Sequence, residues 1–154
     1  MTPEKLQQYV EGGAQLTASI IGLSAAELDA FPVPGTWSIR QIVLHMLDSD
    51  LIASDRMKRI IAMDHPSILA YDETAFAKNL FYNELDANLA CEVFAKNRRL
   101  TFEVLRRLPV AAFARTGNHS ERGSITLEGL VETYIGHLEH HLKFVCEKRK
   151  LLGK

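Results

Sequence analysis

The chain is short of several things that would narrow its function. Cysteine occurs only twice in 154 residues. Cys91 and Cys146 lie far apart with no Cys-x-x-Cys, which excludes a disulfide framework and suits a reducing cytoplasm. Neither sign of charge is in excess: 18 Lys and Arg stand against 19 Asp and Glu, a formal charge of −1. No basic surface for nucleic acid or an anionic membrane is therefore expected. Apolar runs stay well below the ~18 residues of a membrane span. The opening stretch, with Glu4, Lys5, Gln7 and Gln8, lacks the apolar core of a signal peptide. Strand-period segments, repeats and low-complexity tracts are also missing. A hydrophobic share of 47% with 24% charged residues is the balance of a packed globular domain. These features together predict one cytoplasmic domain over residues 1–154 whose partner is a small molecule.

What the sequence does contain is helical period. The first segment opens at Thr2-Pro3, an N-cap followed by proline at the first helical position, and runs to about Gly22. Gly12-Gly13 interrupts it at ~1 kcal/mol each. Ser24 to Glu27 reads as a capping box for one short turn, and Phe31-Pro32-Val33-Pro34-Gly35 must be a loop. The second helix has the clearest start: Ser38 and Gln41 form a capping box, and Trp37 and Ile42 a hydrophobic staple. It extends to about Met63. A second apolar line on it, Leu44, Leu47 and Leu51, predicts a homodimer burying that helix. After Asp64-His65-Pro66 a loop is expected to about Asn83. The third helix is predicted over Glu84–Leu108, with Leu85, Leu89, Val93, Leu100, Val104, Leu105 and Leu108 in phase. The fourth starts at the Thr126 cap, with Leu127, Leu130, Val131, Tyr134, Leu138, Leu142 and Val145 as its core stripe. Lys148, Arg149 and Lys150 close it, where cations suit the helix dipole. The predicted fold is all-α, a four-helix bundle with long connections.

Six histidines are present, three of them within His137-Leu138-Glu139-His140-His141. His137 and His141 are four apart, so both imidazoles project from one side of the last helix. At 100° per residue His141 lies ~60° and His137 ~100° from the centre of the core stripe, whereas His140 lies ~160° away and faces solvent. His-x-x-x-His is the spacing at which two imidazoles grip one metal ion. By itself it is equally the pattern of a solvated or core-edge pair. A third ligand must come from another helix, and His45, seven residues past the Ser38 cap, is the only histidine inside one. Its phase places it at the edge of the apolar arc, where a buried histidine bonded to a carbonyl is the alternative reading.

Three stretches resemble the DinB/YfiT-like superfamily of metal-binding four-helix bundles: Gly35-Thr36-Trp37-Ser38-Ile39-Arg40-Gln41-Ile42-Val43-Leu44-His45, Tyr71-Asp72-Glu73, and His137-Leu138-Glu139-His140-His141. The likeness covers nearly the whole chain in order and spacing. It implies that His45, His137 and His141 hold a divalent ion. Three neutral imidazoles leave the +2 charge unneutralised and at least one coordination position open, the form of a catalytic rather than a structural site. Imidazole suits Zn²⁺, Ni²⁺, Cu²⁺ or Fe²⁺, with zinc or nickel expected here. The resemblance further implies one of two chemistries: transfer of a low-molecular-weight thiol to an electrophile, or hydrolysis by water activated at the ion. A metal-binding or stress-associated bundle without turnover is the third reading. No carboxylate matches the glutamate of His-Glu-x-x-His, since Glu139 projects away from the histidine edge; thiol transfer is therefore preferred.

Other residues are assigned lesser roles. Asp50 falls inside the apolar arc of the second helix, where it either orients a ligand histidine or pairs with a basic residue. Asp48, one turn from His45, is a second such candidate or a solvated carboxylate. Tyr71, Phe76 and Tyr82 are candidates to line a substrate pocket. His119, like His65, is placed in an exposed loop that could roof the cavity. Arg98-Arg99 and Arg106-Arg107 read as a solvated face, and both cysteines as small packing residues.

Overall fold

The structure, a computed structural model, describes residues 1–154. Its helices are α1 (Pro3–Ile20), α2 (Ala25–Asp29), α3 (Ile39–Ala62), α4 (Glu73–Asn79), α5 (Ala87–Leu105) and α6 (Leu127–Leu151). The four long ones, α1, α3, α5 and α6, form the bundle. None is long and apolar enough to cross a membrane. Their starts are written locally. Thr2 caps α1 with Pro3 in its first turn, and Ser24 and Glu27 form a complete capping box on α2. On α3, Gln41 N donates to Ser38 Oγ at 3.2 Å while Ser38 N donates to Gln41 Oε1 at 2.9 Å. Gly129 N donates to Thr126 Oγ1 at the start of α6. Each such cap satisfies backbone donors that the first turn leaves without partners.

Several expectations are corrected. A small sheet exists where none was expected: β1 (Ser67–Ile68), β2 (Thr116–His119) and β3 (Gly123–Thr126). β1 runs parallel to β2, pairing Ile68 with His119, and β2–β3 is an antiparallel hairpin closing at His119 and Gly123. Gly123 takes a positive φ of 70° at that closure, which glycine adopts without strain. Strands of two to four residues are too short for alternation to show in sequence. The long connection after α3 also contains a helix, α4, capped by Asp72. On α5 most of the stripe chosen from sequence faces outward, although Leu105 is buried and Leu108 packs against the core. Leu85, Leu89, Val93, Leu100 and Val104 are all exposed, and the buried face is Ala87, Ala90, Cys91, Phe94, Arg98, Thr101 and Leu105. Beside Phe94 and Leu105, that inner face is made of small and polar residues, which is why hydropathy favoured the leucine-rich outer one. On α3 the proposed outer line is mostly internal: Leu44 is in the core, Leu47 packs against it, and only Leu51 is exposed. Cys91 is buried as expected, but Cys146 is exposed rather than packed.

Two apolar clusters fill the bundle. One gathers Leu16, Ile39, Ile42, Val43, Phe94 and Leu138; the other gathers Leu6, Ala53, Met57, Ile60, Leu127 and Val131. Between them runs a polar layer. Arg98, assigned to a solvated face by sequence, is fully buried here and donates to Asp50 Oδ1 at 2.8 Å, Tyr9 O at 3.0 Å and Tyr134 O at 2.8 Å. One guanidinium on α5 thus ties α3, α1 and α6 together, its planar fork suited to several acceptors at once. Gly12-Gly13 is where α1 passes this point. A Cβ at Gly12 would collide with Arg98 Nη1 and Leu138 Cδ2, and one at Gly13 would stand 2.9 Å from Ala95 Cα. The helix propensity lost at the glycine pair is offset by the close approach it permits.

Candidate metal centre

The polar layer continues into a histidine cluster. His45 projects from α3 and is fully buried; His137 and His141 project from successive turns of α6 and are partly buried. His45 Nε2 lies 3.2 Å from His137 Nε2, which lies 3.1 Å from His141 Nε2. One donor atom from each of the three falls within 4.8 Å of the others. His140, as expected, stays exposed, with its ring against Phe144. Trp37, the residue before the Ser38 cap, packs its ring 4.9 Å from that of His45, so the staple that starts α3 also walls the cluster.

The electrostatics keep all three imidazoles neutral. Burial pushes His45 and His141 down to about 4 and His137 down to about 3, with the neighbouring histidines adding to each shift. Neutral imidazole is the form that donates a lone pair to a metal. A ring nitrogen carries either one hydrogen or one lone pair, so His137 Nε2 cannot serve two neighbours well by hydrogen bonding alone. A cation among three lone pairs can, and Zn–N bonds of about 2.0–2.1 Å would place ligand nitrogens about 3.3 Å apart. The residues present therefore fit a divalent ion.

Of the two readings of Asp50, the structure shows the pairing with a basic residue, and Asp48 likewise does not reach the histidines. Asp50 accepts from Arg98 and from Asn97 Nδ2 at 2.7 Å. Asp48 accepts from Tyr82 Oη at 2.5 Å. The side chain that does approach a ligand is Ser49, whose Oγ is 3.5 Å from His137 Nδ1. Tyr82 is 1% exposed and belongs to the core, not to a pocket. Phe76 packs against that core and edge-on to Tyr71. Glu139 points outward and accepts from Gln8 Nε2, as its phase predicted.

Two cavities flank the cluster and differ in character. On the His137 side a more polar cavity of about 90 Å³ is bounded by Ser49, Arg56, Tyr71, Glu73, His119, Arg122, Thr133 and Tyr134, with Ile125 and Leu130 as apolar walls. His119 is buried on β2 rather than exposed in a loop; its Nδ1 accepts from Glu121 N at 3.2 Å, and burial with Arg56 and Arg122 nearby lowers its pKa. Arg56 donates to Tyr134 Oη at 2.9 Å and to Leu69 O, leaving its Nε without a partner. Tyr71 Oη is likewise buried and unbonded, and burial raises its pKa to about 12. On the His141 side an apolar cavity of about 280 Å³ is lined by Val33, Thr36, Trp37, Ile42, Phe144, Glu147 and Lys148. Sequence reading found Tyr71 and His119 but missed Arg56, Glu73 and Arg122. Only the short sheet and α4, both unseen in sequence, bring the last two to the site.

Fold and site together define a class: a four-helix bundle whose second and last long helices present a divalent-metal donor set toward its interior. The chain belongs to the DinB superfamily, whose family model matches residues 8–145. A relative from Oceanobacillus iheyensis, provisionally named a metal-dependent hydrolase, is 31% identical over 137 residues, covering 88% of this chain and 79% of its own. The protein YfiT of Bacillus subtilis, provisionally named in the same way, is 26% identical over 149 residues, covering 96% and 84%. The solved structure of YfiT, described as an unusual four-helix bundle, superposes with a TM-score of 0.93 at 25% identity, covering 99% of this chain and 90% of that one. A mycothiol-dependent maleylpyruvate isomerase shares the fold at a TM-score of 0.70 and 11% identity, over 90% of this chain and 58% of that one.

Proposed function

We propose that this protein is a metal-dependent enzyme that activates a low-molecular-weight thiol for transfer to an electrophile. The observation that carries this reading is the position of the histidine cluster between two unlike cavities, one lined by His141 and the other by His137, which gives each of two substrates its own approach. His45, His137 and His141 would hold the ion. Once bound, a divalent cation with open positions supplies Lewis acidity and lowers the pKa of a thiol beside it.

The chain's own residues do the rest. Arg56 and Arg122 offer guanidinium donors to the anionic groups of a small polar thiol, and Tyr71 Oη adds a free hydroxyl. Trp37, Ile42 and Phe144 exclude water from the other substrate, which keeps the nucleophile from being quenched by solvation. In the transfer the sulfur–carbon bond forms as the leaving group departs with its electron pair, and the thiol proton passes to solvent. Monochlorobimane tests this directly. Zinc- or nickel-loaded protein is incubated with it and each candidate thiol in turn. A fluorescent adduct lost in His45→Ala is the expected result; no adduct with any thiol, despite bound metal, overturns it.

One observation favours hydrolysis as the second reading. Glu73, at the start of α4, supplies to the polar cavity the carboxylate that α6 lacks. It could take the proton of an attacking water. The names of the relatives point the same way. Turnover of an ester or amide panel with metal and no thiol, abolished in Glu73→Gln, would replace the transferase reading with this one.

A further inference from the structure

A charge that the chemistry above does not use is buried in the wall of the apolar cavity. Lys148, near the end of α6, is only 3% exposed and lines this cavity. Sequence assigns it with Arg149 and Lys150 to the helix C-terminus, yet the three behave differently. Arg149 reaches across to the carbonyls of Ser19 and Ile21 at the end of α1, and Lys150 is exposed. Lys148 turns inward. Its hydrogen bond goes to a neutral hydroxyl, Thr36 Oγ1, at 2.6 Å, and it takes part in none of the chain's ion pairs. An ammonium has three donors, so two are left over. Burial lowers its pKa, with the Glu147 carboxylate on the same turn opposing that effect.

A buried cation without a carboxylate partner is costly unless something supplies the anion. Here the remaining walls of the cavity are Val33, Trp37, Ile42, Phe144 and Glu147, which forms no ion pair with Lys148, with His141 at the other end. Lys148 and His141 are seven residues apart, about 10 Å along the helix at 1.5 Å per residue. We infer that this cavity binds an apolar molecule bearing one anionic group, a carboxylate in the simplest case, held by Lys148 with its other end directed at the histidine cluster. The inference rests on the proposed two-substrate reading for the identity of that molecule as the electrophile, but not for its binding. Lys148 is then a specificity residue: it decides which electrophiles enter and at which end they meet the cluster.

Trp37 lines the cavity and is the only tryptophan in the chain, so its fluorescence reports occupancy without turnover. Octanoate and octanamide are titrated into the zinc-loaded protein, and again after chelation so that carboxylate bound to zinc is not mistaken for carboxylate bound to lysine. Octanoate is expected to bind about tenfold more tightly than octanamide in both states, the margin of a charge-assisted hydrogen bond over a neutral one. Lys148→Met should reduce that preference to near unity while octanamide still binds, which also shows that the cavity remains folded. Lys148→Arg should retain the preference. Equal binding of the two probes, binding of neither, or a preference that survives Lys148→Met would each overturn the inference. A carboxylate preference in a protein that forms no thiol adduct would instead defeat only the transferase reading. Thiol adducts formed without any carboxylate preference would defeat only this one.

Discussion

Lowering the pH of the metal-depleted protein from 7 to 5 should weaken it sharply, and the histidine cluster sets the size of the effect. An unfolded histidine titrates near 6.5, whereas burial and mutual repulsion hold His45, His137 and His141 near 4, 3 and 4 in the fold. Between those values the unfolded chain takes up protons that the folded chain refuses. The stability these groups contribute is therefore present above about pH 6.5 and is lost as pH falls toward 4. From pH 7 to 5 each group gives up about 2 kcal/mol. The three together give up about 4–6 kcal/mol once the partial exposure of His137 and His141 is discounted. That is a large part of the 5–15 kcal/mol typical of a domain. Carboxylates such as Glu27 and Glu103, lowered to about 2, change their contribution only in more acid solution. His119, also lowered, acts in the same direction as the cluster, so the measurement must be a difference. Urea unfolding at pH 7 and 5 is compared between the natural chain and one carrying His45→Gln, His137→Gln and His141→Gln. The loss attributable to the cluster is the part that the triple variant does not show. Equal losses in the two proteins would refute the reasoning. Saturating zinc should delay the loss in the natural chain, because the bound ion competes with protons for the same lone pairs.

Other outcomes are expected. Elemental analysis after metal loading should give about one divalent ion per chain, and less than about one-tenth of an ion would remove the site altogether. Replacing Arg98 with methionine strands Asp50 in the polar layer and should cost about 3–5 kcal/mol in chemical unfolding. Adding Asp50→Leu should recover most of that loss, and a double variant as unstable as the single would show that packing, not charge, is at stake. Self-association is expected through α5 rather than α3. The spacing of Leu89, Val93, Leu100 and Val104 is symmetric, so a second copy lying antiparallel would pair Leu89 with Val104 and Val93 with Leu100. Light scattering at micromolar concentration should show a dimer that Leu89→Glu with Leu100→Glu dissociates; a monomer from the outset, or a dimer indifferent to the change, would count against it.

The sequence by itself determined what depends on neighbours along the chain. Capping residues fixed the starts of α2, α3 and α6 because the bonds they make span three residues. His137 and His141 were legible as a pair because helical spacing alone puts them on one side. The polar-layer roles were not legible, because they depend on what a side chain meets after the helices pack. Arg98 looked like surface and is the tie between four helices; Asp50 was read as a histidine support or a partner of a basic residue, and Arg98 is that basic residue, while Asp48, read as a support or a solvated carboxylate, accepts from Tyr82. The exposed leucines of α5 misled for the same reason, since an inner face in which alanine, cysteine, threonine and arginine surround only Phe94 and Leu105 has a weak hydropathy signal. His45 was grouped with the α6 pair by the family resemblance, but the distances among the three, the two unlike cavities beside them, and the inward turn of Lys148 were decided by the tertiary structure alone. Each requires distances between residues that are tens of positions apart, and local spacing carries no information about those.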